Sequence, residues 1–488
     1  MADEPRTEVA VEQGMRERVR RSVFRHDYPQ TDLDRMSTMC TNFFLHLLPA
    51  KVHPNCLRLT YTWALGMIAF FLMVILFVSG FLLMFFYIPS TDWAYHSMKD
   101  LQFVVSFGPL LRNMHRWSAH GMVAVVLLHM CRVFYTASYR RPREFNWILG
   151  VVLWVVTLFL SFTGYLLPWD QLAFWAITVG TSIASYPPWI GDTIRVLMLG
   201  GNTVGQGALL RFYALHVAVL PAVLGLLVAI HFWRIRKDGG LSRPNGTASL
   251  PANGRAFAPG PLKTYALMEI VRGTSPMVGT QAPEEEVPSW PHLLFRLLVL
   301  FQVVLAVVVL LGIFLNAPLE ELANLTHPPN PAKAPWYFLG LQELVSYSAL
   351  VGGVVVPGLL VAGLMSIPYV DRGEEGEGIW FTSPRGKQIT LRCLVATIPA
   401  TLALLYLNLH FGVRRLFPGA PQMVADLLNP ATLLLVGIAA WSVVVGWRTG
   451  SRRMSAIALF SCFVSAYVLL MIIGTFFRGP NWDWALPW

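Results

Sequence analysis

The chain has 488 residues, of which 55% are hydrophobic and only 13% charged, and it carries a formal net charge of +10. The basic residues lie between long apolar runs, which argues against a nucleic-acid-binding protein and for a membrane protein. The five cysteines form no CxxC or CxxCH pair, so they give no sign of a zinc site, an iron–sulfur site or ordinary covalent haem attachment.

About eight or nine apolar runs are long enough to cross the hydrocarbon core of a bilayer. Because a backbone amide in hydrocarbon must find its partner within the same segment, these runs predict transmembrane helices and an all-α integral membrane protein. The predicted spans, called A to I, are 59–87, 114–136, 147–167, 211–235, 292–316, 347–370, 389–411, 430–447 and 454–476.

The distribution of lysine and arginine predicts the orientation. If the N-terminus is cytoplasmic, 28 of the 37 basic residues lie on the cytoplasmic side and 9 on the opposite side, here called the outer side. This asymmetry follows the positive-inside rule. The first 50 residues mix charges of both signs and lack an apolar core, so no cleavable signal peptide is predicted.

Spans B and D each carry a pair of histidines. The pair in span B is 14 residues apart and the pair in span D is 15 apart, so each pair lies on one helix face with roughly 21 Å between its members. Since B and D run in the same direction, His115 and His216 form an outer level. His129 and His231 form an inner level. Two bis-histidine haem sites stacked in this way suit electron transfer across a membrane.

Spans A and C carry glycine pairs in the same register. Gly66 and Gly80 are 14 residues apart, as are Gly150 and Gly164. A porphyrin wedged between helices needs a missing side chain at each level, although glycine is also a common packing residue in membrane helices. Two glycine pairs in register with two histidine pairs predict that spans A to D form a four-helix bundle that holds two haems.

Three arginines lie near these levels. Arg112 and Arg116 flank the outer level, and Arg132 lies beyond His129 at the inner one. Arginine in a membrane is costly unless paired, so haem propionates are candidate acceptors, and lipid headgroups that anchor helix ends are the alternative. His120 has no matching histidine and is interpreted as a satisfied polar residue.

Four segments carry a resemblance to a known family. They are HRWSAHGMVAVVLLHMCRV (115–133), TGYLLPWDQLAFW (163–175), RFYALHVAVLP (211–221) and APWYFLGLQELV (334–345). Together they resemble the cytochrome b subunit of quinol–cytochrome c oxidoreductases, which also serves chloroplast-type b–f complexes. The resemblance covers about residues 55 to 410. The spacing in span D and the segment IRKDGG (235–240) resemble the split type, although both halves are fused here.

The resemblance implies two haem b groups, a membrane quinone as substrate, and a homodimeric complex in a bacterial inner membrane with a Rieske iron–sulfur protein and a c-type cytochrome. Quinol would be oxidised near the outer surface. One electron would pass to the Rieske protein and the other through the outer haem to the inner one, where quinone is reduced. Protons would be released outside and taken up inside.

The resemblance also implies the residues of the two quinone sites. The outer pocket would be lined by Tyr165, Pro168, Trp169, Trp336 and Tyr337. Without the family, the same residues would be interpreted as an interfacial aromatic belt. Arg236, which follows His231, is a candidate for holding quinone or a propionate, and a positive-inside anchor is the alternative.

The resemblance divides the chain into five sections. They are an N-terminal cytoplasmic segment (1–58), the di-haem bundle (59–236), a cytoplasmic linker (237–290) with the acidic run Glu284–Glu286, the quinol-site half (291–411), and extra helices with a tail (412–488). The extra helices and tail exceed the split form. They are candidates for docking a partner subunit.

The chain departs from the family at the outer loop. The usual motif is Pro-Glu-Trp-Tyr, whose glutamate takes a quinol proton, whereas Pro335 stands in that position here. Glu343 lies seven positions past Trp336, nearly two helical turns, and we hypothesise that it substitutes for the missing glutamate. A carboxylate paired to a partner subunit or left in interfacial water is the alternative, and Asp170 is the next candidate.

Two other functions share some of these features. A di-haem membrane anchor of a quinone-reducing dehydrogenase would also stack two haems, but it gives no reason for the APWYF and TGYLLPW segments. A non-redox transporter could use intramembrane histidines for protons. Bound haem separates the transporter from the other two, and co-purification of a Rieske protein separates the remaining pair.

The cysteines yield a testable prediction about haem attachment. Chloroplast-type relatives carry a cysteine in span A that tethers an extra haem, but Ala64 stands there in this chain and Cys56 lies about two turns earlier. Acidic acetone should therefore extract all haem from the denatured protein. A haem band that stays with the polypeptide on a denaturing gel would contradict this and point to Cys56 or Cys40.

Overall fold

The computed structural model of the chain describes residues 14–23, 28–238, 240–241, 287–373 and 376–485. Within those residues, nine helices are long and apolar enough to cross a membrane, which confirms the predicted all-α membrane fold. They are α1 (Leu65–Met84), α2 (Gly108–Tyr135), α3 (Glu144–Tyr165), α4 (Gln206–Lys237), α5 (Ser289–Phe314), α6 (Val351–Val370), α7 (Pro384–Leu416), α8 (Pro430–Thr449) and α9 (Arg452–Phe476).

Shorter helices and one small sheet complete the described elements. The short α-helices are Met15–Val23, Asp32–Thr41, Leu59–Thr62, Ala94–Phe103, Gln171–Ala184, Gly191–Leu199, Trp336–Tyr347 and Gln422–Leu427. Strand β1 (Lys51–Val52) pairs antiparallel with β2 (Val287–Pro288). Because α5 begins directly after β2, this pairing joins the start of α5 to the segment before α1.

Most of the predicted linker, including Glu284–Glu286, lies outside the described residues, so the predicted section boundaries stay predictions.

Helices α1 to α4 form the four-helix bundle. Helix α1 packs against α2, and α3 packs against both α2 and α4. An apolar core cluster joins all four helices through side chains that include Met73, Met122, Val156 and Leu224. Each of these four lies about halfway between the two glycines or two histidines of its own helix. An apolar layer therefore separates the outer level of the bundle from the inner one.

An ionic cluster fastens the C-terminal helices to the inner end of the bundle. Asp371, at the end of α6, accepts hydrogen bonds from Arg140 at 2.9 Å and from the Tyr139 hydroxyl, and it lies 3.5 Å from Arg453 of α9. Arg453 also donates to the carbonyl of Phe134 at 2.8 Å. All the charged groups are buried, and such charges are tolerated when each is paired. The cluster joins the α2–α3 loop to α6 and α9.

A second buried ion pair holds the C-terminal tail at the outer side. Arg478, just after α9, donates through Nε to Oε2 of Glu343 at 3.0 Å and through Nη2 to Oε1. Trp482 donates to Oε2 at 2.9 Å and the Tyr347 hydroxyl to Oε1 at 2.6 Å. Tyr467 of α9 donates to the carbonyl of Tyr337. Helix α9 and the tail therefore brace the short helix Trp336–Tyr347 of their own chain.

Removing one partner of this buried pair should destabilise the outer side. We expect Arg478→Gln to cost about 3–5 kcal/mol of unfolding free energy because Glu343 is left as an uncompensated buried charge. The double variant E343Q/R478Q should regain most of the loss. Thermal unfolding in detergent measures both effects, and Arg414→Gln, at an exposed arginine near the end of α7, is the control. Equal melting temperatures for R478Q and wild type would contradict the proposed bracing.

Candidate functional site

The outer level brings His115 of α2 and His216 of α4 together. Their ring centroids are 6.2 Å apart and their planes meet at 77°. A metal–imidazole bond is about 2 Å long, so one ion between two imidazoles needs its two nitrogen ligands about 4 Å apart. Two ring centroids at the observed distance fit on opposite sides of a single iron ion.

Hydrogen bonds fix the orientation of both rings. The Nδ1 atom of His115 lies 2.9 Å from the hydroxyl of Ser79, which itself donates to the carbonyl of Ile75. The Nδ1 atom of His216 lies 3.1 Å from the carbonyl of Leu160. A metal-bound histidine usually donates its second nitrogen to such an acceptor, which fixes the tautomer. Both rings therefore present Nε2 as the free nitrogen for a ligand bond.

Each of the four predicted glycines faces one of the four histidines. A methyl group at Gly80 would lie 3.1 Å from His115, and one at Gly66 would lie 3.2 Å from His129. On the other helix pair, Gly164 faces His216 at still closer range, and Gly150 faces His231 at 3.9 Å. The glycine register thus leaves room beside every histidine on the helix that packs against it.

A π-helical turn in α4 compensates for the extra residue between the two histidines of that helix. Residues Leu215–Val219 form this turn, and His216 lies within it. A π-turn inserts one extra residue into an α-helix. The 15 residues from His216 to His231 therefore cover the same rotation as 14 regular residues, which equals the spacing from His115 to His129. The sequence spacing differs between the helices, yet the histidines return to matching levels.

The inner level opens into a cavity of about 420 Å³, lined by both inner histidines together with Gly66 and Gly150. Arg132 also lines it, stacked over Tyr61 with 5.1 Å from the guanidinium to the ring centroid. Its buried Nε and Nη2 atoms have no hydrogen-bond partner among the described residues. Buried guanidinium donors call for an anionic acceptor. The residues at this level fit a haem whose propionate pairs with Arg132.

Two further predicted groups lie at the same cavity. Arg236 lines it and donates to the carbonyl of His46, with its second terminal nitrogen 3.7 Å from the sulfur of Cys40. The segment before α1 thus holds Arg236 at the mouth of the cavity. Cys56 is a lining residue as well.

The prediction that Arg112 binds a haem propionate is not supported. Its Nη1 atom donates to the carbonyl of Ala317 at 2.8 Å and to Gln102 at 3.2 Å, and its Nη2 atom donates to the carbonyl of Pro318 at 2.6 Å. Oxygen atoms of the protein itself therefore accept hydrogen bonds from both terminal nitrogens of Arg112. Arg112 fastens the loop after α5 to α2, which a sequence separation of more than 200 residues concealed.

The predicted outer pocket assembles around a residue that sequence reasoning left aside. Trp336 donates to Nδ1 of His120 at 2.9 Å, and the ring of Tyr337 lies edge-on at 5.8 Å from the His120 ring. The Nε atom of Arg116 lies 2.9 Å from Nε2 of His120, and its guanidinium stacks over Tyr165 at 5.3 Å. Arg116 therefore points to this pocket and not to a propionate. The sequence did carry one signal for His120, namely the missing loop glutamate, which indicated that another polar residue would take its place.

Two other predicted pocket residues have different surroundings. Trp169 is 5% exposed and packs against Phe174 in a core cluster, so its indole stabilises the turn after α3 that contains Pro168. Glu343 is fully buried, and its carboxylate is occupied by Arg478 and Trp482. Both carboxylate oxygens therefore face the C-terminal tail and Tyr347, and neither faces the outer pocket. The hypothesis that Glu343 replaces the loop glutamate is therefore wrong in this structure.

Asp170, the next candidate, serves as a helix cap. Its Oδ1 atom accepts from the amide of Ala173 at 2.9 Å, and its Oδ2 atom accepts from the amide of Glu320 at 3.2 Å. Burial raises the pKa of Asp170, while these two amides and the nearby Arg112 act in the opposite direction. The carboxylate joins the helix Gln171–Ala184 to the loop after α5 and so shapes one wall of the outer end.

Comparison with known proteins gives matches in sequence and in fold. A family model described as cytochrome b/b6/petB matches residues 50–239. Cytochrome b6 of Prochlorococcus marinus (strain MIT 9515) is 44% identical over 177 residues, which is 36% of this chain and 81% of the relative. Cytochrome b6 of Cyanothece sp. (strain PCC 7425) is 43% identical over 177 residues, 36% of this chain and 80% of the relative.

A solved structure extends the similarity in fold over nearly the whole chain. A chain of a hyperthermophilic respiratory Complex III superposes with a TM-score of 0.57 at 22% identity, and the match covers 88% of this chain and 94% of the other. At this level of sequence identity, the match shows that the two chains share a fold. It also includes helices beyond the region that the curated relatives cover.

Filling one glycine should remove one level selectively. We expect Gly80→Leu to abolish binding at the outer level, because even a methyl group there meets the His115 ring at 3.1 Å, and to reduce haem per polypeptide by about half. Gly358→Leu in α6 is the control, since nothing lies within 4 Å of a Cβ at that position. Pyridine haemochrome assay of the purified proteins measures the ratio. Full haem content in the Gly80 variant would contradict the assignment.

Proposed function

The chain belongs to the cytochrome b family, and from this premise we propose that it oxidises membrane quinol at an outer site and passes electrons through two haems to a quinone site at the inner level. The observation that carries the proposal is the match of four glycines to four histidines, one to one, at two levels of the bundle. The dehydrogenase-anchor alternative gives no account of the aromatic pocket around His120.

The four histidines would hold two b haems. Bound haem supplies one-electron redox chemistry. His115 and His216 would hold the outer group, and the contacts of their Nδ1 atoms with Ser79 and the carbonyl of Leu160 would leave Nε2 free to bind it. His129 and His231 would hold the inner one. Groups held in this way would supply electron transfer and not substrate binding.

The side chains between and around the two levels would determine how polar the interior of the bundle is. The cluster that contains Met73, Met122 and Leu224 makes the middle of the bundle apolar. At the inner level, the unpaired Arg132 nitrogens would pair with a propionate, which offsets the cost of a buried cation. Arg236, held by the carbonyl of His46, would present a positive charge to quinone at the mouth of the inner cavity.

The outer pocket would bind the flat quinol ring. Tyr165, Trp336 and Tyr337 supply apolar faces with few polar contacts, as small-molecule sites usually do. Electrons would leave to a Rieske iron–sulfur protein and to the outer haem, and a c-type cytochrome would follow in a homodimeric complex. With the N-terminus in the cytoplasm of a bacterial cell membrane, protons would be released on the outer side and taken up on the inner side.

Separate ligand pairs at the two levels make the proposal testable. Replacing His129 or His231 with leucine should abolish the inner haem and leave the outer one visible in the reduced-minus-oxidised spectrum, because each level has its own pair. In wild-type protein co-purified with its Rieske partner, a short-chain quinol should reduce the haems. His410→Leu, at an exposed histidine in α7, is the matched control.

Two results would count against the proposal. Loss of both haems from a folded His129 or His231 variant would show that the pairing of histidines is wrong. A wild-type complex that binds two haems but never accepts electrons from quinol would refute the quinol-oxidising function and leave the dehydrogenase-anchor alternative.

A further inference from the structure

His120 has contacts that a histidine cannot satisfy by itself. It is half-buried on α2, in the outer half of the bundle, and the Nε–H of Arg116 approaches its Nε2 at 2.9 Å. The indole N–H of Trp336 approaches its Nδ1 at 2.9 Å. Both ring nitrogens are therefore faced by a nitrogen that carries a hydrogen.

The two partners can only donate. Guanidinium and indole N–H groups have no acceptor lone pair, and a neutral imidazole carries one N–H and one acceptor nitrogen. In either tautomer, one of the two contacts sets an N–H against another N–H. A doubly protonated ring makes the conflict worse at both nitrogens and adds a charge beside Arg116. The group that is missing from this cluster is a hydrogen-bond acceptor.

The residues around His120 indicate at which of its two ring nitrogens the missing acceptor would bind. Trp336 begins a helix that is braced by α9 and by the Glu343–Arg478 ion pair, so its indole is held firmly against Nδ1. Arg116 is a long side chain whose guanidinium can shift while it stays over Tyr165. This favours the tautomer in which Nδ1 accepts from Trp336 and Nε2 carries the hydrogen. The N–H groups of His120 and Arg116 then converge on one point.

We propose that His120 and Arg116 together bind one ring oxygen of the quinol or quinone at the outer site. The oxygen replaces the direct contact between the two side chains and accepts a hydrogen bond from each. Both donors lie among aromatic side chains, where a hydrogen bond from a guanidinium or imidazole N–H strongly stabilises partial negative charge on the ring oxygen. This inference rests on the proposed function and assigns the residues that hold the substrate.

Two substitutions of His120 separate this role from simple packing. Leucine removes both the donor and the acceptor. Glutamine keeps both, since its amide oxygen can accept from Trp336 while its NH₂ group donates to the ligand oxygen. We expect H120L to raise the KM for a short-chain quinol about tenfold. H120Q should stay near the wild-type value. His96→Leu, at an exposed histidine in the helix Ala94–Phe103 before α2, is the matched control.

Infrared spectroscopy gives a readout that does not depend on turnover. A short-chain quinone labelled with ¹³C at its carbonyl carbons is bound to each purified complex. The wild type and H120Q should show a carbonyl band lowered in frequency by two donors, and H120L should lose this component. Both haems must remain in the H120L spectrum, which shows that the bundle has folded.

The outcomes distinguish this inference from the function on which it rests. A normal KM and an unchanged carbonyl band in H120L would overturn the inference, because ordered water alone would then fill the position. An H120Q variant as impaired as H120L would overturn the hydrogen-bonding role in favour of proton exchange by the imidazole. A wild-type complex that neither oxidises quinol nor binds the labelled quinone would refute the proposed function itself.

Discussion

A helix backbone can lie beside an imidazole ring only where the residue in between has no side chain, and this constraint sets the geometry of the whole bundle. Gly66 and Gly80 fulfil it on α1, and Gly150 and Gly164 fulfil it on α3. Moving one glycine by a single residue would turn its Cα–H by about 100° from the ring and bring a side chain into its place. The spacing of the two levels and the place of the apolar layer between them both follow from this register.

The bundle is surrounded by hydrocarbon, so the hydrogen-bond partners of each buried polar group indicate what that group does. Arg112, Arg453 and Arg478 all lie in well-paired surroundings, where carbonyl or carboxylate oxygens accept from their guanidinium groups, and each fastens one segment of the chain to another. Arg132 and Arg116 differ from these three. Arg132 has buried donors that find no acceptor in the described part of the chain, and Arg116 meets a ring that cannot satisfy all its neighbours. Since unpaired donors are costly in low dielectric, such positions indicate where an acidic or carbonyl-bearing ligand belongs.

The sequence was informative wherever a single helix carries the signal. The apolar runs located the nine membrane-spanning helices of the described residues because length and hydropathy are local properties. The histidine and glycine spacings predicted which of these residues face each other at the two levels. The π-turn around His216 could not be anticipated, because a bulge depends on how α4 packs. Contacts between distant segments were also hidden. The pairing of Glu343 with Arg478 spans 135 residues and that of His120 with Trp336 spans 216, and no periodicity reports either.

The departures of this chain from its family form one connected change. Proline at position 335 removes the carboxylate from the outer loop, and the next carboxylate, Glu343, is held by the tail that follows the additional helix α9. The same tail braces the helix that begins at Trp336, and Trp336 in turn fixes the ring of His120. In the proposed quinol site, the polar groups that face the substrate would therefore lie on α2 and not on the loop. The C-terminal extension would then be part of that site, because it supports the helix whose indole contacts His120.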